Sequence, residues 1–259
     1  MSLNISFTGR KSQIGEYFKG DYNFLSYDLM DRNTWSPLLE SDVVFLLLPK
    51  HKDTLAMTKQ FVLSAVDSKI KHIIKIGSLG PWRLIHNQID RFLLESQIPY
   101  TSFDIAPLMN NIFTEQYIKE QQTLLDYRNN APVPYLDPVC LASAIEQSIN
   151  HDKHMNRNYQ CTGSTQYTIT DVKNILSNNG YPIKTIKDTT NNKVHNMTDT
   201  NSDFVMMRRI AERYKTEGWY PPISHDLKDC FDAESRTLEE FIYQDKDIFE
   251  RRFADDGNL

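Results

Sequence analysis

The run Asp42-Val43-Val44-Phe45-Leu46-Leu47-Leu48-Pro49 is too short for a buried helix and too continuous for a strand with one wet face. It predicts a central strand of a parallel sheet, covered on both sides. Its neighbours alternate between the two periodicities. Thr54 to Ser68 reads as a helix, and Lys71 to Ser78 as a strand ending in a Gly77-Ser78 turn. Leu84 to Ser96 reads as an amphipathic helix, and Tyr100 to Ile105 as the next strand. Strand followed by helix, repeated, is the pattern of crossover units, so the expected class is α/β with a doubly wound parallel sheet.

That sheet has to be nucleated by the first strand, and the turn after it carries chemical information. Ile5-Ser6-Phe7-Thr8-Gly9-Arg10-Lys11-Ser12-Gln13-Ile14-Gly15 has the outline of a dinucleotide-binding turn with Gly9 and Gly15 in the outer glycine places and Ser12 in the middle one. Serine brings a Cβ where a pyrophosphate comes nearest, yet its hydroxyl and the helix N-terminal N–H groups still donate to an anion. Arg10 and Lys11 either add charge for a phosphate or lie solvated on a loop. The stretch from Glu16 to Asn23 is short, so part of the first strand-helix-strand half of a Rossmann-like sheet is missing. Phe24 to Asp28 would then form a strand beside the first. Asp28 falls about 20 residues after Gly9, where such a unit places an acid for the adenosine ribose; the alternative is an acid that caps a turn.

Further ligand-lining candidates follow from the rule that ligands sit beyond the carboxyl ends of the strands. These are Leu48, Pro49 and Lys50 after one strand, Gly77, Ser78 and Trp82 after the next, and Pro107, Met109, Asn110 and Phe113 after the third. The wall is apolar and aromatic, suited to a flat hydrophobic molecule. For proton transfer the helix after Ser78 offers His86 and, one turn on, Asp90 to orient it. Lys75 is a weaker candidate, since a lysine within a strand commonly runs its stem along a sheet edge.

Composition excludes several classes. The 259 residues are 40% hydrophobic and 24% charged with a net charge of -5, which gives no basic footprint for nucleic acid. No apolar segment approaches the ~20 residues of a membrane helix, and a cytoplasmic protein is the expectation. Cys140, Cys161 and Cys230 lack metal-ligand spacing and read as reduced structural thiols, so no metal is expected. The expected division is a nucleotide-binding part over 1–150 and a smaller α+β substrate or lid region over 151–259. In the latter a helix spans Thr170 to Asn178, a connection Lys184 to Asp203, a helix Phe204 to Tyr214, and a final amphipathic helix Thr237 to Phe253.

Taken in order, several segments resemble the NmrA-like branch of the atypical short-chain dehydrogenases/reductases. They are Thr8-Gly9, Asp28-Leu29-Met30-Asp31 before Trp35, Val43 to Pro49, His72-Ile73-Ile74, and Ile98-Pro99-Tyr100-Thr101 with Pro107-Leu108-Met109-Asn110-Asn111. Pro132 to Asp137, Tyr159-Gln160-Cys161-Thr162-Gly163 and Arg236-Thr237-Leu238-Glu239-Glu240-Phe241 continue the series. The resemblance implies NAD or NADP as cofactor and reduction of a small quinone, imine or unsaturated substrate. The family also includes regulators that sense a nucleotide without catalysis. The Tyr-xxx-Lys pair of most short-chain dehydrogenases is absent, and His86 stands where the isoflavone reductase-like enzymes have a lysine. Three functions remain open: an NAD(P)-dependent reductase, a hydride-free isomerase, cyclase or dehydratase using His86 with Asp90, and a sensing regulator. A homodimer is an open alternative to a monomer.

Overall fold

Strand β4 (His72–Ser78) organises the molecule, because its successive side chains feed two different cores. In this computed structural model residues 6–9, 23–26, 28–48, 53–80, 83–126, 128–188 and 222–245 are described. β3 (Val43–Leu47), β4, β5 (Tyr100–Ile105) and β8 (Arg157–Cys161) form a four-stranded parallel sheet in the order β3-β4-β5-β8. Ile73 faces one side, packed with Phe61, Val62 and Ala65 of α2 (Thr54–Val66) and Ile85, Ile89 and Leu93 of α3 (Arg83–Ser96). Ile74 faces the other, with Phe103, with Leu141 and Ala144 of α4 (Pro138–Asn150), and with Leu227 and Phe231 of α6 (Asp226–Phe231). Alternate residues of a strand point to opposite faces, so a two-sided core demands the continuous apolar runs seen in the sequence.

β3 departs from the expected strand covered on both faces. Val44 and Leu46 enter the core, but Phe45 and Leu47 are 47% and 71% exposed. Among the described residues β3 has β4 on one side only, and α4 and α6 cover β4, β5 and β8 instead.

β1 (Ser6–Gly9) and β2 (Asn23–Ser26) pair in parallel with Gly9 opposite Ser26, as the strand expected beside the first requires. Short helical turns at Arg32–Thr34 and Ser36–Leu39 (α1) then lead to β3. Trp35 buries its ring edge-on to Phe61.

The sheet does not stop at residue 150, the boundary expected from the sequence. β8 pairs with β5 along Thr101–Ile105, so the chain returns to the main sheet before leaving it again. The smaller region draws from both sides of that boundary. β6 (Tyr117–Ile118), β7 (Thr123–Asp126) and β9 (Thr185–Asp188) make a three-stranded sheet, with β9 parallel to β7. β9 stands where an irregular connection was expected. α5 (Ile169–Asn178) opens with a reciprocal capping box between Thr168 and Asp171, and Gly180 follows it at φ 93°. Residues 238–245 form helix α7, the described part of the final amphipathic helix. Its Leu238, Phe241 and Ile242 join Met109, Phe113, Tyr135 and Val172 in a third core. The expected helix Phe204 to Tyr214 lies outside the described residues, as does the rest of the last helix.

Candidate functional site

Two charged residues interrupt otherwise apolar strands, Lys75 in β4 and Asp104 in β5, and both face the α3 side of the sheet. The register sets Lys75 beside Ser102 and Gly77 beside Asp104. α3 buries Asp90 together with His86, each directly following an isoleucine, Ile89 and Ile85, that anchors the helix. The three charged side chains converge. Lys75 Nζ donates to Asp90 Oδ1 at 2.6 Å and to Asp104 Oδ1 at 3.2 Å, and lies 3.5 Å from the His86 carbonyl oxygen.

Gly77 makes that convergence sterically feasible. A Cβ on this residue would fall 2.0 Å from Asp104 Oδ1 and 3.0 Å from Lys75 Nζ, so the absence of a side chain leaves the carboxylate room to lie across β4. Burial pushes the Asp104 carboxyl up. Lys75 pulls it down, the Asp90 charge pushes it up again, and Arg83 adds a small downward pull. His86 is pushed down to about 3, first by burial and then by the Lys75 charge, so the ring is neutral at ordinary pH. Its Nδ1 is buried and has no hydrogen-bond partner among the described residues, and the same holds for Arg83 Nε.

These positions revise the sequence reading of the proton-transfer group. Helical spacing pairs Asp90 with His86; the structure gives its carboxylate to Lys75 instead. A lysine within a strand is expected to run its stem along a sheet edge; β4 is an interior strand and Lys75 is fully buried. Spacing alone does not single out Asp104. Its signal was present, since an acid in Tyr100-Thr101-Ser102-Phe103-Asp104-Ile105 and a lysine in His72-Ile73-Ile74-Lys75-Ile76 are both anomalous in two-sided strands and opposite in charge.

The nucleotide candidates are only partly described. Gly9 ends β1, and Asp28 lies two residues beyond Ser26, the last residue of β2, so both stand near the carboxyl ends of paired parallel strands. Asp28 is exposed, and its Oδ1 accepts from the Met30 N–H at 2.9 Å, a turn-capping bond. Leu48 packs part-buried at the end of β3. Ser78 ends β4, and its Oγ accepts from the Gly80 N–H. Arg10, Lys11, Ser12, Gly15, Pro49, Lys50 and Trp82 lie outside the described residues. Of the substrate candidates, Met109 and Phe113 are buried in the third core, while Pro107 and Asn110 are half-buried just beyond β5.

The thiols carry no reactive signature. All three are free; burial pushes Cys140 up to about 11 and Cys161 well above the usual range. Among the described residues no cluster fits a metal ion, and no helix is long and apolar enough to cross a membrane.

No family model matches the sequence, and no curated protein matches it. Solved structures do match in shape. An NADPH-dependent quinone oxidoreductase of Escherichia coli, solved with NADPH, is 14% identical with a TM-score of 0.69, covering 93% of this chain and 90% of the other. A nucleoside-diphosphate-sugar epimerase of Staphylococcus aureus is 16% identical with a TM-score of 0.67, covering 92% and 89%. NmrA, a negative transcriptional regulator, is 14% identical with a TM-score of 0.64, covering 92% and 84%. The chain therefore has the Rossmann-like fold of these proteins along nearly its whole length, in agreement at the level of fold with the NmrA-like resemblance.

Proposed function

We propose that the chain is an NAD(P)-dependent reductase of a small hydrophobic quinone, imine or conjugated unsaturated substrate. The observation that carries this reading is the gathering of Lys75, from the middle of β4, with His86 and Asp90 of α3 and with Asp104, which stands one residue from the carboxyl end of β5, the end beyond which open parallel sheets of this kind bind ligands. Proton-handling groups in that place suit a reaction that delivers hydride and proton to one polarised bond. The whole-chain likeness to a quinone oxidoreductase solved with NADPH supports the same reading.

The described residues fit a dinucleotide. Gly9 and Asp28, at neighbouring strand ends, stand as a phosphate turn and a ribose acid require. Arg10, Lys11, Ser12 and Gly15 would complete the phosphate side, and Leu48, Pro49, Lys50, Gly77 and Ser78 the wall toward the reacting end. Bound nicotinamide supplies the hydride. Pro107 and Asn110, half-buried just beyond β5, would contact the substrate, with Met109 and Phe113 packed behind them in the third core. His86, neutral and with Nδ1 unsatisfied, fits a hydrogen-bonding group for the substrate better than a charged acid, because Asp90 is held by Lys75.

Calorimetry with NAD, NADH, NADP and NADPH tests the reading before any substrate is known. Dissociation constants in the micromolar range, about -8 kcal/mol, are expected for at least one reduced cofactor. Absence of binding at millimolar cofactor removes the reductase function.

A further inference from the structure

Three charged side chains share one buried site between β4, β5 and α3, and one cation faces two carboxylates. Lys75 Nζ is 2.6 Å from Asp90 Oδ1 and 3.2 Å from Asp104 Oδ1. A single ammonium matches a single carboxylate; the second acid of such a site holds its proton more firmly than a solvated one. The shorter bond identifies Asp90 as the matched partner. Position separates the two acids further. Both are buried beside a wholly enclosed Lys75, but Asp90 sits in the middle of α3 while Asp104 stands one residue from the carboxyl end of β5.

The surroundings keep this arrangement fixed. Gly77 clears the path across β4. Arg83, from the first turn of α3, acts on Asp104 at longer range, and Cys161 of β8 feels the Asp104 charge. Tyr100 on β5 feels Asp90, and His86 is held neutral beside Lys75.

We propose that Asp104 donates the proton to the oxygen or nitrogen of the bound carbonyl, quinone or imine, with Lys75 and Asp90 as positioning residues that set how firmly the proton is held. The inference rests on the reductase reading. In the step the Asp104 O–H bond breaks as an O–H or N–H bond of the reduced substrate forms. The electron pair of the broken bond stays on the Asp104 carboxylate, which regains a proton from solvent, and the two electrons of the reduction are those of the hydride named above. Burial raises the Asp104 carboxyl, in keeping with a held proton.

Two measurements on the full chain decide it. The first is an NMR titration with carboxyl-labelled aspartate, in which Asp104 is assigned by the signal lost in Asp104→Asn or, should that variant not fold, by the signal lost in Asp104→Glu, whose carboxyl carries no label. The Asp104 midpoint is expected at least about one unit above the usual ~3.9 and should fall by about one unit in Asp90→Asn, which removes the like charge and leaves Lys75 to Asp104 alone. A midpoint at or below ~3.9, or one that Asp90→Asn leaves in place, overturns the proposal. The second uses NADPH with a naphthoquinone as probe substrate. Asp104→Asn should lower kcat about 100-fold with KM for the quinone changed less than about threefold, and Asp90→Asn should shift the pH profile of kcat in the direction of the titration. An unchanged kcat in Asp104→Asn overturns the donor role. Failure of any nicotinamide to bind removes the donor role together with the reductase reading, whereas the titration separately decides whether the triad holds a proton.

Discussion

Gly77 and Asp104 meet across β4 and β5 so closely that a methyl group on residue 77 would stand 2.0 Å from Asp104 Oδ1. The glycine is a backbone condition for the charged cluster. Without that clearance the Asp104 carboxylate could not reach Lys75, and the lysine would be left in the core with Asp90 alone.

Gly77→Ala should therefore destabilise the protein by overpacking, by about 1–3 kcal/mol, since either the strands separate or Asp104 swings away. Urea unfolding measures it. A loss below about 0.5 kcal/mol would show that the carboxylate has room the structure does not give it.

The same pair shows where sequence reading succeeds and where it stops. Apolar runs and helix periodicity made β4, β5, α2 and α3 legible almost to the residue, because a strand covered on two faces leaves few choices of residue type. At α5 either Thr168 or Thr170 suits an N-cap by residue type and Gly180 suits a stop; the structure caps with Thr168 and turns at Gly180 with positive φ. The partner of Asp90 was not legible. Within one helix, spacing alone suggests His86; the distance to Lys75 depends on register between β4 and α3, which no local pattern encodes. β8 and β9 were missed as sheet partners for a similar reason. Their pairings with β5 and β7 are long-range, and residue 150 looks like a boundary only while those pairings are unknown.

Acid should weaken the fold through its buried histidines. His86 is pushed down to about 3 by burial and by Lys75, and His72 and His154 are lowered by burial. Below the unfolded value of 6.5 the unfolded chain takes up protons that the native rings refuse. Stability from these groups is thus present above about pH 6.5 and lost as pH falls toward the folded values. For His86 the slope is at most about 1.4 kcal/mol per pH unit. Asp104 acts in the opposite sense, its raised carboxyl favouring the fold below its ordinary pKa and losing that contribution as pH rises through the folded value. Its window begins near pH 4 and runs up to the raised folded value, so there it offsets part of the contribution of the three histidines. Unfolding free energies from urea titrations should be lower at pH 5 than at pH 7 by at least about 1 kcal/mol, and a flat profile would mean that the rings are not buried in neutral form.

Arg236 ties the start of the C-terminal helix to the body. Its Nε and Nη2 donate to the two oxygens of buried Asp137 at 2.6 and 3.0 Å, and Nη2 also reaches Asp245 at 3.0 Å. Asp137 in turn caps α4 through the Val139 N–H. Arg236→Ala leaves a buried carboxylate without its cation, at a cost of about 2–4 kcal/mol. The expected result is a lower melting temperature with faster proteolysis within 236–245; wild-type resistance at both readouts would mean that Leu238, Phe241 and Ile242 hold the helix alone.

Asp28 predicts which cofactor the proposed reductase prefers. It lies two residues beyond β2, whose Ser26 pairs with Gly9 at the end of β1, so a ribose reaching across these strand ends would meet a carboxylate. One oxygen of that carboxylate accepts from Met30 N, which fixes the side chain beside the strand ends. A fixed negative charge hydrogen-bonds ribose hydroxyls and repels the added phosphate of NADPH, in contrast to the NADPH-bound quinone oxidoreductase of the same fold. NADH should bind about tenfold tighter than NADPH, a difference of about 1.4 kcal/mol, and Asp28→Ser should erase the gap. Equal affinities in the wild type, or an NADPH preference, would return Asp28 to the capping role its bond to Met30 already gives it.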